Sequence, residues 1–144
     1  MADVYNLHRF LNAQERVYDT VLAELRAGTK SSHWIWFIFP QIAGLGRSGT
    51  AQQFAITSLD EAKAYLQHPL LGFRLRECTQ LILDVDGRSA EEIFGYPDLL
   101  KFRSCMTLFS TATTDNALFN AALLKHFHGK PDQSTLDILA QQTS

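Results

Sequence analysis

The sequence predicts an all-α fold, with one globular domain over residues 1–144 built from about seven or eight short helices and a glycine-rich loop. Helix punctuation recurs along the whole chain, with serine or aspartate before apolar segments and glycine or proline after them. Apolar residues within most of these segments recur at helical spacing. The length fits one domain of ordinary size, and 46% hydrophobic with 19% charged residues is a normal globular balance.

The clearest helix is predicted over residues 12–27, where apolar side chains repeat at helical spacing and Gly28 follows as the terminating residue. Ser58 and Ser89 each stand three residues before a glutamate, which is the spacing of a capping box. The remaining helices are expected at residues 58–66, 70–85, 89–94, 98–109, 115–127 and 132–139. The caps expected for the last three are Asp98, Asp115, and either Asp132 or Ser134.

The apolar run at residues 34–39 is harder to assign, because its periodicity fits a buried strand as well as a short buried helix. Serines before the run and Pro40 after it favour a helix. The only other candidate strand lies at residues 81–85. Six residues are too few to span a bilayer, so no membrane partner is expected.

Composition excludes several classes of function. The formal net charge of −2 gives no basic footprint for a long nucleic acid. Cys78 and Cys105 belong to no metal-ligand array and are expected to be small buried hydrophobic residues, so neither a metal nor a cofactor is predicted. No secretory signal is recognised at the N-terminus, and a cytoplasmic location is expected. The sequence leaves the oligomeric state open.

Residues 44–49 read GLGRSG and match the pattern G-x-G-x-x-G. No second strand with an acidic residue follows, so a dinucleotide-binding fold is rejected. A milder interpretation is an anion-binding loop, in which glycine backbone amides converge, Arg47 supplies charge and Ser48 a hydroxyl. A helix N-terminus over residues 50–53 would add a favourable dipole. The alternative is a plain turn whose glycines only satisfy backbone geometry.

Aromatic and polar residues precede this loop. Trp36, with His33 and Gln41 on either side, could form an aromatic wall with polar groups, although such a run also suits a core. His33 is the best-placed general acid or base if the protein is an enzyme.

A second cationic strip lies at Lys101 and Arg103, and Lys101 shares a helix face with Ser104. Arg103 could bind an anionic ligand, or could form an ion pair with Asp98 or Glu77. The complete set of candidate ligand-binding residues is His33, Trp36, Gln41, Gly44, Gly46, Arg47, Ser48, Lys101 and Arg103.

The run HWxWFIFPQxxGLGRS at residues 33–48, with further segments at 61–75, 93–98 and 101–109, resembles a widespread bacterial family built on a domain of unknown function. Some of its members carry the label calpastatin. Calpain-inhibitor segments are disordered and poor in aromatic residues, so that label does not suit this chain. The resemblance implies a small, mainly helical, single-domain protein without established catalytic residues. Cys105 departs from the second serine expected after Ser104.

Three hypotheses about function follow. The favoured one is a protein that binds a small anionic ligand, a nucleotide or a sugar phosphate, at the loop of residues 44–48. The second is an interaction or structural domain without a small-molecule site. The third is a hydrolase or glycosidase that uses His33 as acid or base and Arg47 to hold the anion. Because no catalytic motif is present, whether the protein is an enzyme stays open.

Overall fold

The structure, a computed structural model, describes residues 3–143 and confirms the all-α fold class: these residues form ten α-helices and no strand. The helices are α1 His8–Glu15, α2 Tyr18–Ala27, α3 Ile35–Ile38, α4 Gly49–Gln53, α5 Leu59–Gln67, α6 Pro69–Asp84, α7 Ala90–Phe94, α8 Asp98–Ala112, α9 Ala117–Phe127 and α10 Gln133–Thr143. None of them is long and apolar enough to cross a lipid bilayer.

The number of helices exceeds the expected seven or eight for two reasons. The segment predicted as one helix at residues 12–27 is divided at Val17, whose backbone leaves the helical region. Its first part, α1, packs against α3, whereas α2 packs against α6, so tertiary contacts override a continuous local pattern. The second reason is α4, at residues 49–53, where a helix start was expected beside the loop but was not counted among the seven or eight helices.

Helix caps explain several of the boundaries. Ser89 and Glu92 form the predicted capping box, and Gly28 ends α2 in the left-handed conformation with φ of 74°. Ser58 caps α5 through the backbone N–H of Glu61. The carboxylate of Glu61 does not return to the backbone of Ser58, because it accepts hydrogen bonds from Thr57 and from the Arg9 guanidinium instead.

The predicted caps Asp98 and Asp115 are wrong. Helix α8 begins at Asp98 itself, and that carboxylate binds Lys30 Nζ at 2.7 Å and Lys101 Nζ at 3.2 Å. Helix α9 begins two residues after Asp115 without a side-chain cap. Each aspartate is close to a helix start, but an ion pair draws the Asp98 side chain away from the backbone amides.

The interior is aromatic. Seven of the ten phenylalanines are buried, and a compact group joins Phe39, Phe94 and Phe102 with ring centres 4.7–6.0 Å apart. Cys78 and Cys105 are buried and unpaired, as expected for small core residues. Helix α8 lies at the centre, packed against α3, α5, α7, α9 and α10. The many phenylalanines therefore build a core.

Among residues 3–143, a single parallel bridge pairs Ile42 with Ile56. Ala43 N–H donates to the Ile56 carbonyl at 2.8 Å, and Ile56 N–H donates to the Gln41 carbonyl at 2.9 Å. This bridge joins the two ends of the segment that contains the glycine-rich loop and α4.

Helix α3 lies within residues 34–39, which confirms the helical interpretation of this run. Glu24 stabilises the turn that leads into α3. Its carboxylate accepts hydrogen bonds from the backbone N–H groups of Ser31 and Ser32, the Ser32 hydroxyl and the Trp34 indole N–H. Partial burial opposes ionisation, but these hydrogen bonds outweigh it and lower the pKa of Glu24 to about 2.

We expect Glu24 to contribute stability that depends on pH. Its folded pKa of about 2 lies below the ordinary 4.5, so the contribution is complete above pH 4.5 and is lost as the pH falls towards 2. Denaturant unfolding of wild type and Glu24→Gln should therefore differ most near neutral pH and converge in acid. Glu15→Gln, which changes an exposed glutamate without a side-chain hydrogen bond among the described residues, is the control. A constant difference across the acid range would contradict this assignment.

Candidate functional site

A cleft of about 410 Å³ lies between three segments that are distant in sequence: the loop from α3 to α4, the start of α8 and the start of α10. Six of the nine candidate residues line it, namely Trp36, Gln41, Gly46, Arg47, Ser48 and Lys101. The other lining residues are Leu45, Ala51, Pro97, Leu100, Ser104, Asp132 and Ser134. The structure therefore brings the glycine-rich loop and one residue of the cationic strip to the same hollow.

A wider hollow, of about 670 Å³, lies beside α1. Its Arg9 donates hydrogen bonds to Glu61 and to four backbone carbonyls, and its remaining charged residues, Glu15 and Arg16, balance each other. That hollow offers no concentrated charge, so the smaller cleft is the stronger candidate site.

Two glycines shape the loop. Gly44 has φ of 105°, a conformation that residues with a side chain rarely adopt. Gly46 is required for a different reason, since an added Cβ would lie 2.5 Å from the Ala51 Cβ and 3.3 Å from the Gln41 Nε2. The loop thus approaches α4 and Gln41 more closely than any other residue would allow.

The backbone amides of residues 46–48 donate no hydrogen bond within the described chain, whereas a hydrogen-bonded turn covers residues 43 and 44. Arg47 is exposed, and its guanidinium likewise has no partner among residues 3–143. The Ser48 hydroxyl oxygen accepts the Ala51 N–H at 3.1 Å, which leaves its own proton available for donation. The loop is therefore a set of donors without acceptors.

Gln41 lines the cleft, and its side-chain amide forms no hydrogen bond with the described part of the protein. Only 9% of the surface of this residue is exposed. The atoms of this amide are not sealed from solvent, so the group faces the open cleft and is available for a hydrogen bond to a ligand.

On α8, Lys101 faces the cleft with its Nζ 5.6 Å from the centre of the Trp36 ring. It shares Asp98 with Lys30, so the single carboxylate neutralises only part of the charge of the two lysines. With Asp98 balanced against Lys30, the lining carries two cations, Arg47 and Lys101, against the carboxylate of Asp132. The balance is a net charge of +1.

The remaining polar groups come from α8 and α10. Asp132 caps α10, since its Oδ2 accepts hydrogen bonds from the Thr135 N–H at 3.0 Å and the Thr135 hydroxyl at 2.6 Å. Its Oδ1 has no partner among the described residues. Ser104 is 5% exposed and donates its hydroxyl proton to the Leu100 carbonyl at 3.0 Å. Both side chains can only accept further hydrogen bonds.

Three candidate residues lie outside the cleft lining. His33 is exposed on the turn before α3, and Gly44 begins the loop. Arg103 donates from Nε to the Lys130 carbonyl at 3.0 Å and lies over the Phe127 ring, so it pairs with neither Asp98 nor Glu77. Helix α4 has only five residues, which is too short for the dipole contribution expected at its start.

Some of the lining residues that were not predicted had a signal in the sequence. Ser104 shares a helix face with Lys101, and Asp132 was expected at a helix start, although neither pattern indicates a ligand. Pro97 and Leu100 have no such signal, because their place in the cleft depends on how α8 meets the loop.

A family model described as "Protein of unknown function (DUF1810)" matches residues 4–139. Among solved structures, the crystal structure of the conserved hypothetical protein Rv1873 from Mycobacterium tuberculosis is similar to this chain, with 55% sequence identity and a TM-score of 0.95. The similarity covers 96% of this chain and 99% of that chain. No curated protein matches. These findings confirm the resemblance to a family of unknown function and the helical fold, and they assign no activity.

The close contact at Gly46 can be tested by substitution. Gly46→Ala should lower the free energy of unfolding by about 1–3 kcal/mol, because the added methyl group overlaps Ala51. Gly49→Ala is the matched control, since its methyl group would meet no atom within 4 Å. Denaturant unfolding of both variants measures the difference. Equal effects would show that the loop does not depend on this approach.

Proposed function

The chain belongs to the DUF1810 family of proteins of unknown function, and we propose that it binds a small anionic ligand, a nucleotide or a sugar phosphate, in the cleft beside residues 44–48. The observation that carries the proposal is a group of donors without acceptors: the loop amides, Arg47 and the amide of Gln41. An anion supplies acceptors to all of them at once, and hydrogen bonds to a charged group are stronger than neutral ones.

Charge supports the same ligand class. The lining carries a net charge of +1 with Arg47 unpaired, so a phosphate or carboxylate enters a favourable potential. Leu45, Pro97 and Leu100 add apolar surface beside Trp36, which suits the body of an organic ligand more than a bare ion. A cytoplasmic location is part of the proposal, because two unpaired buried cysteines suit a reducing compartment.

The alternatives have less support. An enzyme that uses His33 requires this histidine at the ligand, and it lies outside the cleft lining. An interaction domain requires a contiguous apolar patch. Of the exposed large hydrophobic residues that the structure describes, Leu70 and Phe73 are neighbours on one face of α6, and the others lie on different segments.

The role of Arg47 is tested by calorimetric titration with adenosine 5′-monophosphate, ribose 5-phosphate and inorganic phosphate. Arg47→Ala should weaken binding of these anions by about tenfold or more, because a charge-assisted hydrogen bond contributes roughly 1.5–3 kcal/mol. Arg26→Ala removes the same charge from an exposed position on α2, outside the cleft, and should leave binding unchanged. The proposal fails if none of the three anions binds wild type, or if the two variants behave alike.

Gln41 provides a test that separates ligand binding from stability. Gln41→Met removes the unpartnered amide while it keeps the length of the side chain, and because solvent reaches that amide in the cleft, the free energy of unfolding should change by less than about 1 kcal/mol. The same variant should bind the anions more weakly than wild type. Unfolding in denaturant and titration calorimetry measure the two effects. A variant that loses stability and binds as wild type does would mean that Gln41 has only a structural role.

A further inference from the structure

Several polar groups of the cleft can make only one kind of further hydrogen bond, which restricts the ligand further, whereas the Gln41 amide and the Ser134 hydroxyl can both donate and accept. Arg47, Lys101 and the loop amides can only donate hydrogen bonds. Ser104 and Asp132 can only accept them, because the hydroxyl proton of Ser104 is used by the Leu100 carbonyl and Asp132 is a carboxylate. A ligand that satisfies the lining must therefore bring an acceptor group and donor groups on the same molecule.

A bare phosphate offers acceptors to Arg47, Lys101 and the loop amides, but it leaves the acceptors Ser104 and Asp132 without a donor. Ser104 is buried with its remaining lone pairs unused, and the free Oδ1 of Asp132 repels any anion placed beside it. The negative group of the ligand is consequently favoured at the loop, and an uncharged or positive donor is favoured at Asp132.

Hydroxyl groups of the ligand fit beside Asp132 better than an ammonium group. An ammonium group would be opposed by Arg47 and Lys101 in the same cleft, whose net charge is already positive. Two neighbouring hydroxyl groups offer one donor to each acceptor, Asp132 and Ser104, without adding charge. A carboxylate that accepts from ribose hydroxyls is a recurrent solution in nucleotide-binding proteins. The Trp36 and Pro97 side chains supply surface for the C–H groups of a sugar ring.

We propose that the cleft recognises a phosphate ester of a sugar with adjacent free hydroxyl groups, with the phosphate at residues 44–48 and the hydroxyls at Asp132 and Ser104. This inference rests on the proposed function and specifies its ligand. The same chemistry occurs in a free sugar phosphate and in a nucleoside monophosphate.

Asp132 allows a clean experiment because its two carboxylate oxygens have separate tasks. Oδ2 caps α10, and serine is about as good an N-cap as aspartate. Asp132→Ser therefore keeps a capping oxygen but removes both the second oxygen and the negative charge. A purely structural residue would show no ligand-dependent change in this variant.

Titration calorimetry of wild type and Asp132→Ser compares ribose 5-phosphate with inorganic phosphate. The variant should bind ribose 5-phosphate about tenfold more weakly, because a hydrogen bond from a hydroxyl to a charged acceptor is lost. It should bind inorganic phosphate as tightly as wild type or more tightly, because a repelling charge is gone. Asp137→Ser removes the same charge from an exposed position on α10 outside the cleft, and should change neither affinity.

A second pair of ligands tests the hydroxyl groups directly. Wild type should bind adenosine 5′-monophosphate about tenfold more tightly than its 2′,3′-dideoxy analogue, and Asp132→Ser should lose most of this preference. Asp132→Asn, which keeps both the cap and the side-chain volume, repeats the test if the serine variant is unstable. Tighter binding of adenosine 5′-monophosphate than of ribose 5-phosphate identifies a nucleotide as the source, whereas equal binding identifies the free sugar phosphate.

The failures of the two proposals can be told apart. If inorganic phosphate and ribose 5-phosphate bind equally well to wild type and respond alike to Asp132→Ser, hydroxyl recognition is overturned while anion binding stands. If no phosphate compound binds wild type, both proposals are overturned.

Discussion

The candidate site depends on the two hydrogen bonds that join Gln41 and Ala43 to Ile56. They close a segment of about a dozen residues, and they bury Ile42 and Ile56 completely against the core. Closure fixes the backbone of Gln41 at one edge of the cleft. It also returns the chain so that α4 lies under Gly46, where only a glycine fits. A single backbone bridge, in a domain otherwise built from helices, thus determines where the loop donors lie.

The two buried glutamines differ in how their side-chain amides are bonded. Gln14 and Gln41 are both buried glutamines, with 1% and 9% of their surfaces exposed. Gln14 donates to the Phe37 carbonyl and the Tyr65 hydroxyl and accepts from Arg74, so its amide is used on both sides. Gln41 has none of these contacts. Gln14 therefore has a structural role, whereas the amide of Gln41 is open to the cleft and makes no contact that the fold requires.

Local chemistry made part of this structure predictable from sequence. The caps at Ser58, Ser89 and Gly28 depend on atoms within a few residues, and all three were predicted. The division of the first helix at Val17 was not, because α1 and α2 turn towards different partners. Helical spacing puts Lys101 and Arg103 on different faces of α8, but the sequence did not show which of the two faces borders the loop. The second oxygen of Asp132 is informative only once α10 has been placed beside the loop.

If the cleft binds a phosphate as proposed, the charges around it favour a single phosphate group over a polyphosphate or a long nucleic acid. Lys101 is not a free cation, because Asp98 links it to Lys30 and through that residue to the turn before α3. Asp132 limits the positive potential from the α10 side. What remains is one unpaired guanidinium, on Arg47, in a chain whose overall formal charge is −2. A second phosphate would meet the carboxylate of Asp132 rather than another cation, so we expect the proposed ligand to carry a single phosphate group.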